Sequence, residues 1–170
     1  MKKHVVFLAM LILSILMSGC TYSNYSKPAT TKEVKTTENV QAFYDKVVES
    51  KVILDEVATD ICAAWKDASS DYKATTKEIN NAIEKAKKAH IENINKIKEL
   101  DTEIQALFKK AKEEATDLTM ELVLKNVMTR YSDYKDSILN ANEALDSGYN
   151  GIMLSEGLLG SSLRDLFVEL

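Results

Sequence analysis

Proline occurs once, at Pro28, and only one of five glycines, Gly19, precedes position 148. From Val34 to Ser147 there is neither. A β fold needs turn residues about every 8–12 positions, so most of the chain excludes one. The same scarcity removes the glycine-rich loop that cradles phosphate, because the other glycines lie at 148, 151, 157 and 160. Histidine appears only at positions 4 and 90, and cysteine only at 20 and 62. There is no Cys-x-x-Cys pair, no Ser-His-Asp order and no EF-hand loop. These absences leave little room for a metal centre or a nucleophile–base pair.

Long apolar runs are also missing, with one exception. Val5 to Met17 is apolar apart from Ser14, and it follows the cationic start Lys2-Lys3-His4. A bilayer-spanning helix needs about 20 apolar residues, so this run is too short. It matches the h-region of a secretory signal, and Ser18 and Gly19 supply the small residues of a cleavage site. Cys20 comes next. The run Leu16-Met17-Ser18-Gly19-Cys20 resembles the lipobox of bacterial lipoprotein precursors. One position departs: three before the cysteine, where Leu is usual, stands Met17. The resemblance covers residues 1–20 only. It implies cleavage by signal peptidase II between Gly19 and Cys20, and a diacylglycerol on the Cys20 thiol. Two acyl chains hold firmly where one exchanges, since each buried methylene adds about 0.8 kcal/mol. Residues 1–19 are thus expected to be a signal peptide. The protein is expected on the extracytoplasmic face of the cell membrane, bound through the lipid on Cys20.

Lys2 and Lys3 are the only charges before Cys20. The chain from Cys20 onward therefore carries 20 basic and 26 acidic residues, a formal charge of −6. Nucleic-acid binding needs a basic footprint, so no nucleic-acid partner is expected. Cys62 is the remaining thiol, set between Ile61 and Ala63, and it reads as a small buried hydrophobe. With a single thiol left, the fold must rest on packing rather than on a disulfide.

Residues 20–36 form the lipidated cysteine and a tether rich in Ser, Thr, Lys and Asn. As a coil, the segment 21–36 reaches about 20–25 Å. Residues 37–170 are the folded domain. Val40, Phe43, Val47, Leu54, Val57, Ile61, Trp65 and Ala68 recur at three or four, with one gap filled by Lys51. That spacing is a helical stripe. Residues 67–75 break it, and Thr75-x-x-Glu78 is a capping-box pattern that starts a second helix. The second stripe runs through Ile79, Ile83, Ala86, His90, Ile94, Ile97, Leu100, Ile104, Leu107 and Ala111. The third runs through Leu118, Leu122, Val127, Tyr131, Tyr134, Ile138, Ala141 and Leu145, and Gly148 and Gly151 close it. A short last helix carries Leu159, Leu163, Leu166 and Leu170.

At about 1.5 Å per residue the three long helices measure about 48, 58 and 45 Å. Similar rods with short links favour an antiparallel bundle. The expected fold is all-α: an antiparallel bundle of three long helices plus a short C-terminal helix, after a signal peptide and a flexible tether. Two sites compete for the second break, one near Asp101 or Thr102 and one near Asp117. With neither, residues 76–147 would form one helix of about 108 Å that needs a coiled-coil partner. Oligomeric state stays open.

Candidate sites are few. His90 lies on an apolar stripe with no second ligand at i±4, which points to a satisfied side chain. The acids Glu99, Asp101, Glu113, Glu114, Asp133 and Asp136 alternate with lysines, as on a solvated helix face. Trp65, Tyr131 and Tyr134 fall on core stripes. The segment 153–168 is more apolar than one stripe requires, which suits a packed fourth helix or a docking segment for an envelope protein. The pattern implies no catalytic residue, cofactor or metal. The expected function is that of a non-enzymatic membrane lipoprotein with a helical interaction or structural domain. The alternative is a ligand- or peptide-binding lipoprotein of the cell envelope.

Overall fold

The computed structural model describes residues 38–142 and 145–170, with the backbone alone at 145–148. The expected signal peptide, the expected cleavage point between Gly19 and Cys20, the expected lipidation of Cys20 and the expected tether to residue 36 lie outside the described residues, as does the Leu145 side chain. The rest is all-α, with five helices: α1 (Glu38–Ser69), α2 (Thr76–Ala89), α3 (Ile91–Glu114), α4 (Leu118–Leu139) and α5 (Leu145–Glu169).

The contacts fix the directions. Asn39 hydrogen-bonds Glu114, and Asp60 meets His90, so α1 runs antiparallel to α2 and α3. Ser50 meets Tyr131 and Asp55 meets Tyr134, so α4 runs parallel to α1. Tyr44 lies against Phe167 and Trp65 against Tyr149, so α5 descends beside α1. The result is an up-down-up-down bundle built from two hairpins, α1 with α2–α3 and α4 with α5.

The expected three long rods become four. The C-terminal helix is not short. It has 25 residues and runs through Gly148, Gly151, Gly157 and Gly160, two of which were expected to end the preceding helix. A helical glycine costs about 0.5–1 kcal/mol against alanine. Burying Ile152, Leu159, Leu163 and Leu166 to 7 % exposure or less returns about 1.5–3 kcal/mol each, so packing overrides the glycines. The rod preceding it stops at Leu139. There Asn140 N–H donates to Asp136 O at 3.0 Å, and the Lys87 ammonium reaches across from α2 to Ala141 O at 2.6 Å.

The helix start predicted at Thr75 is built as its side chains dictate. Thr75 Oγ1 accepts from Glu78 N–H at 3.3 Å while Glu78 Oε2 accepts from Thr75 N–H at 2.8 Å, a reciprocal capping box. The Thr75 N–H, and after it the Thr75 hydroxyl at 2.9 Å, donate to the Glu78 carboxylate and hold it below its usual range. Of the two competing breaks, the structure uses Asp117, whose Oδ1 accepts from Met120 N–H at 2.9 Å. Asp101 and Thr102 lie inside α3, where Asp101 accepts from Gln105 one turn on. A long helix over 76–147 is therefore ruled out.

One break has no signature of glycine, proline or polar cluster. At His90 the backbone leaves helical geometry (φ −103°, ψ 25°), its N–H shared between Ala86 O and Lys87 O. The imidazole holds the joint: Nε2 lies 2.7 Å from Asp60 Oδ2 on α1, and Nδ1 lies 3.3 Å from Asn93 Nδ2 on α3.

The core follows the stripes with two changes. The gap in α1 is filled by Ser50, fully buried, and not by Lys51. On α4 the buried set is Met120, Leu124, Val127, Tyr131, Tyr134 and Ile138, while Leu118 and Leu122 are 68 % and 51 % exposed. The step from Leu122 to Val127 is five residues, which leaves a helical face. Steps of four and three from Met120 stay on it.

Candidate functional site

The core is not wholly apolar. Two tyrosines, one turn apart on α4, point their hydroxyls inward at α1. Tyr131 is fully buried and Tyr134 is 1 % exposed. Tyr131 Oη lies 3.2 Å from Ser50 Oγ. Tyr134 Oη donates to Asp55 Oδ1 at 2.8 Å. A lysine brackets each ring. Lys51 Nζ donates to both Asp55 oxygens, at 2.9 and 2.7 Å, lies 3.6 Å from Glu156 on α5, and stands 5.8 Å from the Tyr134 ring centre. Lys135 Nζ pairs with Asp101 Oδ1 on α3 at 2.9 Å and stands 5.8 Å from the Tyr131 ring. A single polar layer thus links α1, α3, α4 and α5 midway along the bundle.

The layer opens on one side into a cleft of about 190 Å³ lined by Asp55, Ala58, Thr59, Cys62, Tyr134, Ile152, Met153 and Glu156. Cys62 is half-buried there. Burial, helped by the negative Glu156, pushes its thiol up, which keeps it protonated and a poor nucleophile. Burial also pushes the Tyr131 hydroxyl up to about 12. Its bond to Ser50 opposes the rise, and the Asp101 carboxylate adds to it. Tyr134 is held well above the usual phenol range, by burial first and then by the bond to Asp55. The groups that meet here are paired with one another. Among the described residues, His90, the only histidine, is committed to Asp60 and Asn93.

A second concavity of about 520 Å³ lies on the outside of the α1–α2 pair. Ala64, Ala68, Ala82, Ala86 and Ala89 form its floor, and Asp60, Asp67 and Lys85 form its rim. Small side chains cannot fill the seam between the two helices, and α2 buries only Ile83 completely.

Other residues singled out in the sequence fall as follows. Trp65 stacks on Tyr149 with ring centres 5.0 Å apart. Asp133 pairs with Arg130, and Asp136 lies 3.9 Å from Lys135. No group of three His, Cys, Asp or Glu among the described residues could hold a metal ion. No described helix is long and apolar enough to cross a membrane. The apolar excess of 153–168 divides: Leu159, Leu163 and Leu166 are buried, while Met153, Leu154, Phe167 and Val168 are 49–80 % exposed.

No family model, curated protein or solved structure matches this chain.

The sequence reading missed Ser50, Lys51, Asp55 and Glu156 as members of the layer. A signal for three of them was present. Ser50 sits at i+3 from Val47 and i−4 from Leu54, a polar residue on an apolar stripe. Lys51 and Asp55 are an i,i+4 pair. Glu156 carried none, because its meeting with Lys51 needs the fold.

Proposed function

We propose that this protein is a lipoprotein held by a diacylglycerol on Cys20 at the extracytoplasmic face of a bacterial cell membrane. Its helical bundle works by binding another envelope component or by spacing it from the bilayer, without catalysis. The observation that carries the anchor is the order of the first 20 residues: cationic start, short apolar run, Ser18-Gly19, then Cys20. A binding role draws support from the surface. Met153 and Leu154 stand open on α5, and an alanine-floored concavity of about 520 Å³ lies between α1 and α2. A small-ligand role has less support. The cleft beside Tyr134, about 190 Å³, falls below the roughly 300–1,000 Å³ usual for ligand sites, and its acids Asp55 and Glu156 already face Lys51.

The anchor is tested in cells. Mass spectrometry of the mature protein should find a diacylglyceryl group on Cys20 and nothing before it. Cys20→Ser should leave the precursor unprocessed and without lipid. If that variant matures to the same size and stays with the membranes, the proposal is wrong.

A further inference from the structure

Four of the large apolar side chains open to solvent gather at one end of the bundle. Leu118 and Leu122, on the first turns of α4, are 68 % and 51 % exposed, and Phe167 and Val168, on the last turn of α5, are 65 % and 80 % exposed. The antiparallel register that sets Tyr134 beside Ile152 and Met153 brings Leu118 level with Val168. This is also the end at which α1 begins. Tyr44 lies 6.1 Å from Phe167, Asn39 is bonded to Glu114, and Lys112 faces Glu121 at 3.9 Å.

The chain enters the bundle at Glu38, 18 residues after Cys20. A coil of that length has a mean reach of about 23 Å, while α1 alone is about 48 Å long. An anchor at Cys20 therefore keeps the Glu38 end near the bilayer and leaves the loop at 70–75 far from it. Resting on the lipid-anchor reading, we propose that the end carrying Leu118, Leu122, Phe167 and Val168 docks on the bilayer that holds Cys20. These four side chains enter the boundary between headgroups and acyl chains. Glu38, Glu113, Glu114, Asp117, Glu121 and Glu169 outnumber Lys109, Lys110 and Lys112 at this end, an acidic excess. The contact is therefore apolar and is not strengthened by anionic lipid. Four side chains alone make a weak contact. The tether raises their local concentration to the millimolar range, so a weak contact is enough.

The test uses the mature lipidated protein in phosphatidylcholine vesicles with brominated acyl chains, which quench indole on contact. Trp65 is the only tryptophan and lies about 40 Å along α1 from Glu38, so it serves as the far-end control. Val168→Trp places an indole at the docking end, at an exposed position where folding is not at risk. The introduced indole should emit to the blue and lose most of its intensity to the bromine in phosphatidylcholine, and no more with added phosphatidylglycerol. Trp65 should lose little. Leu118→Trp should repeat the pattern. A protein that floats with the vesicles while both introduced indoles stay unquenched overturns the docking and leaves the anchor standing. A blue shift without quenching means that a second copy covers this end, and also overturns it. A chain that does not float overturns both.

Discussion

At the scale of single residues, the two buried tyrosines define the chemistry of the interior. A free phenol ionises near pH 10. Tyr131 is pushed up to about 12 and Tyr134 is raised further in the same direction. Above pH 10 the unfolded chain gives up both protons while the folded chain keeps them. The folded state then binds more protons, so stability falls as pH rises. The slope is up to about 1.4 kcal/mol per pH unit for each tyrosine, and below pH 10 the effect disappears. Urea unfolding between pH 10 and 12 should show this loss. The double variant Tyr131→Phe, Tyr134→Phe should show a shallower one, and an unchanged slope would mean that these hydroxyls are not held as described. The positions of Tyr131 and Tyr134 on a core stripe were legible in the sequence. Their partners were not, because Ser50 and Asp55 lie about 80 residues away and nothing local links them.

At the scale of the element, α5 shows local propensity yielding to packing. Two of its four glycines, Gly148 and Gly151, read as terminators, yet the helix continues through them, held by one buried stripe against α4 and α1. The Gly157 position is exposed, and a Cβ built there meets nothing within 4 Å. Gly157→Ala should therefore raise stability by about 0.5–1 kcal/mol, read as a higher Tm. A fall in Tm would show that the backbone of α5 needs the freedom of glycine there. The His90 joint is the opposite case. Helix formers surround it on both sides, so the sequence reads as continuous, and the break is held by a tertiary bond to Asp60 and a local one to Asn93. The break at Thr75 was legible because a cap is local chemistry, with side chain and backbone donor three residues apart; the choice of Asp117 over Asp101 or Thr102 was not, since Thr102 and Gln105 show the same local pattern inside α3.

At the scale of the whole molecule, the two hairpins are joined by polar as well as apolar contacts. Lys135 on α4 and Asp101 on α3 form a pair with only 15 % and 18 % of their side chains exposed. Removing one member strands the other in a partly dry site. Lys135→Met should cost about 1–3 kcal/mol, less than a fully buried pair because some solvent screening remains. Adding Asp101→Leu to it should recover most of that loss, since two apolar groups replace the pair. Urea denaturation of the single and double variants measures both. If the double variant loses as much as the sum of the singles, the pair does not couple the hairpins.

The sequence by itself determined the all-α class, the stripes of α1 and α3, the capping box at Thr75 and the lipobox pattern ending at Cys20. All of these depend on residues within one or two helical turns of each other, where spacing alone carries the physics. The tertiary structure alone decided that four rods form, that the second bends at His90, and that Met120 and Leu124 face the core in place of Leu118 and Leu122. It also decided that a polar layer crosses the middle. Each of these depends on which surface a helix meets, and that is set by contacts between residues tens of positions apart.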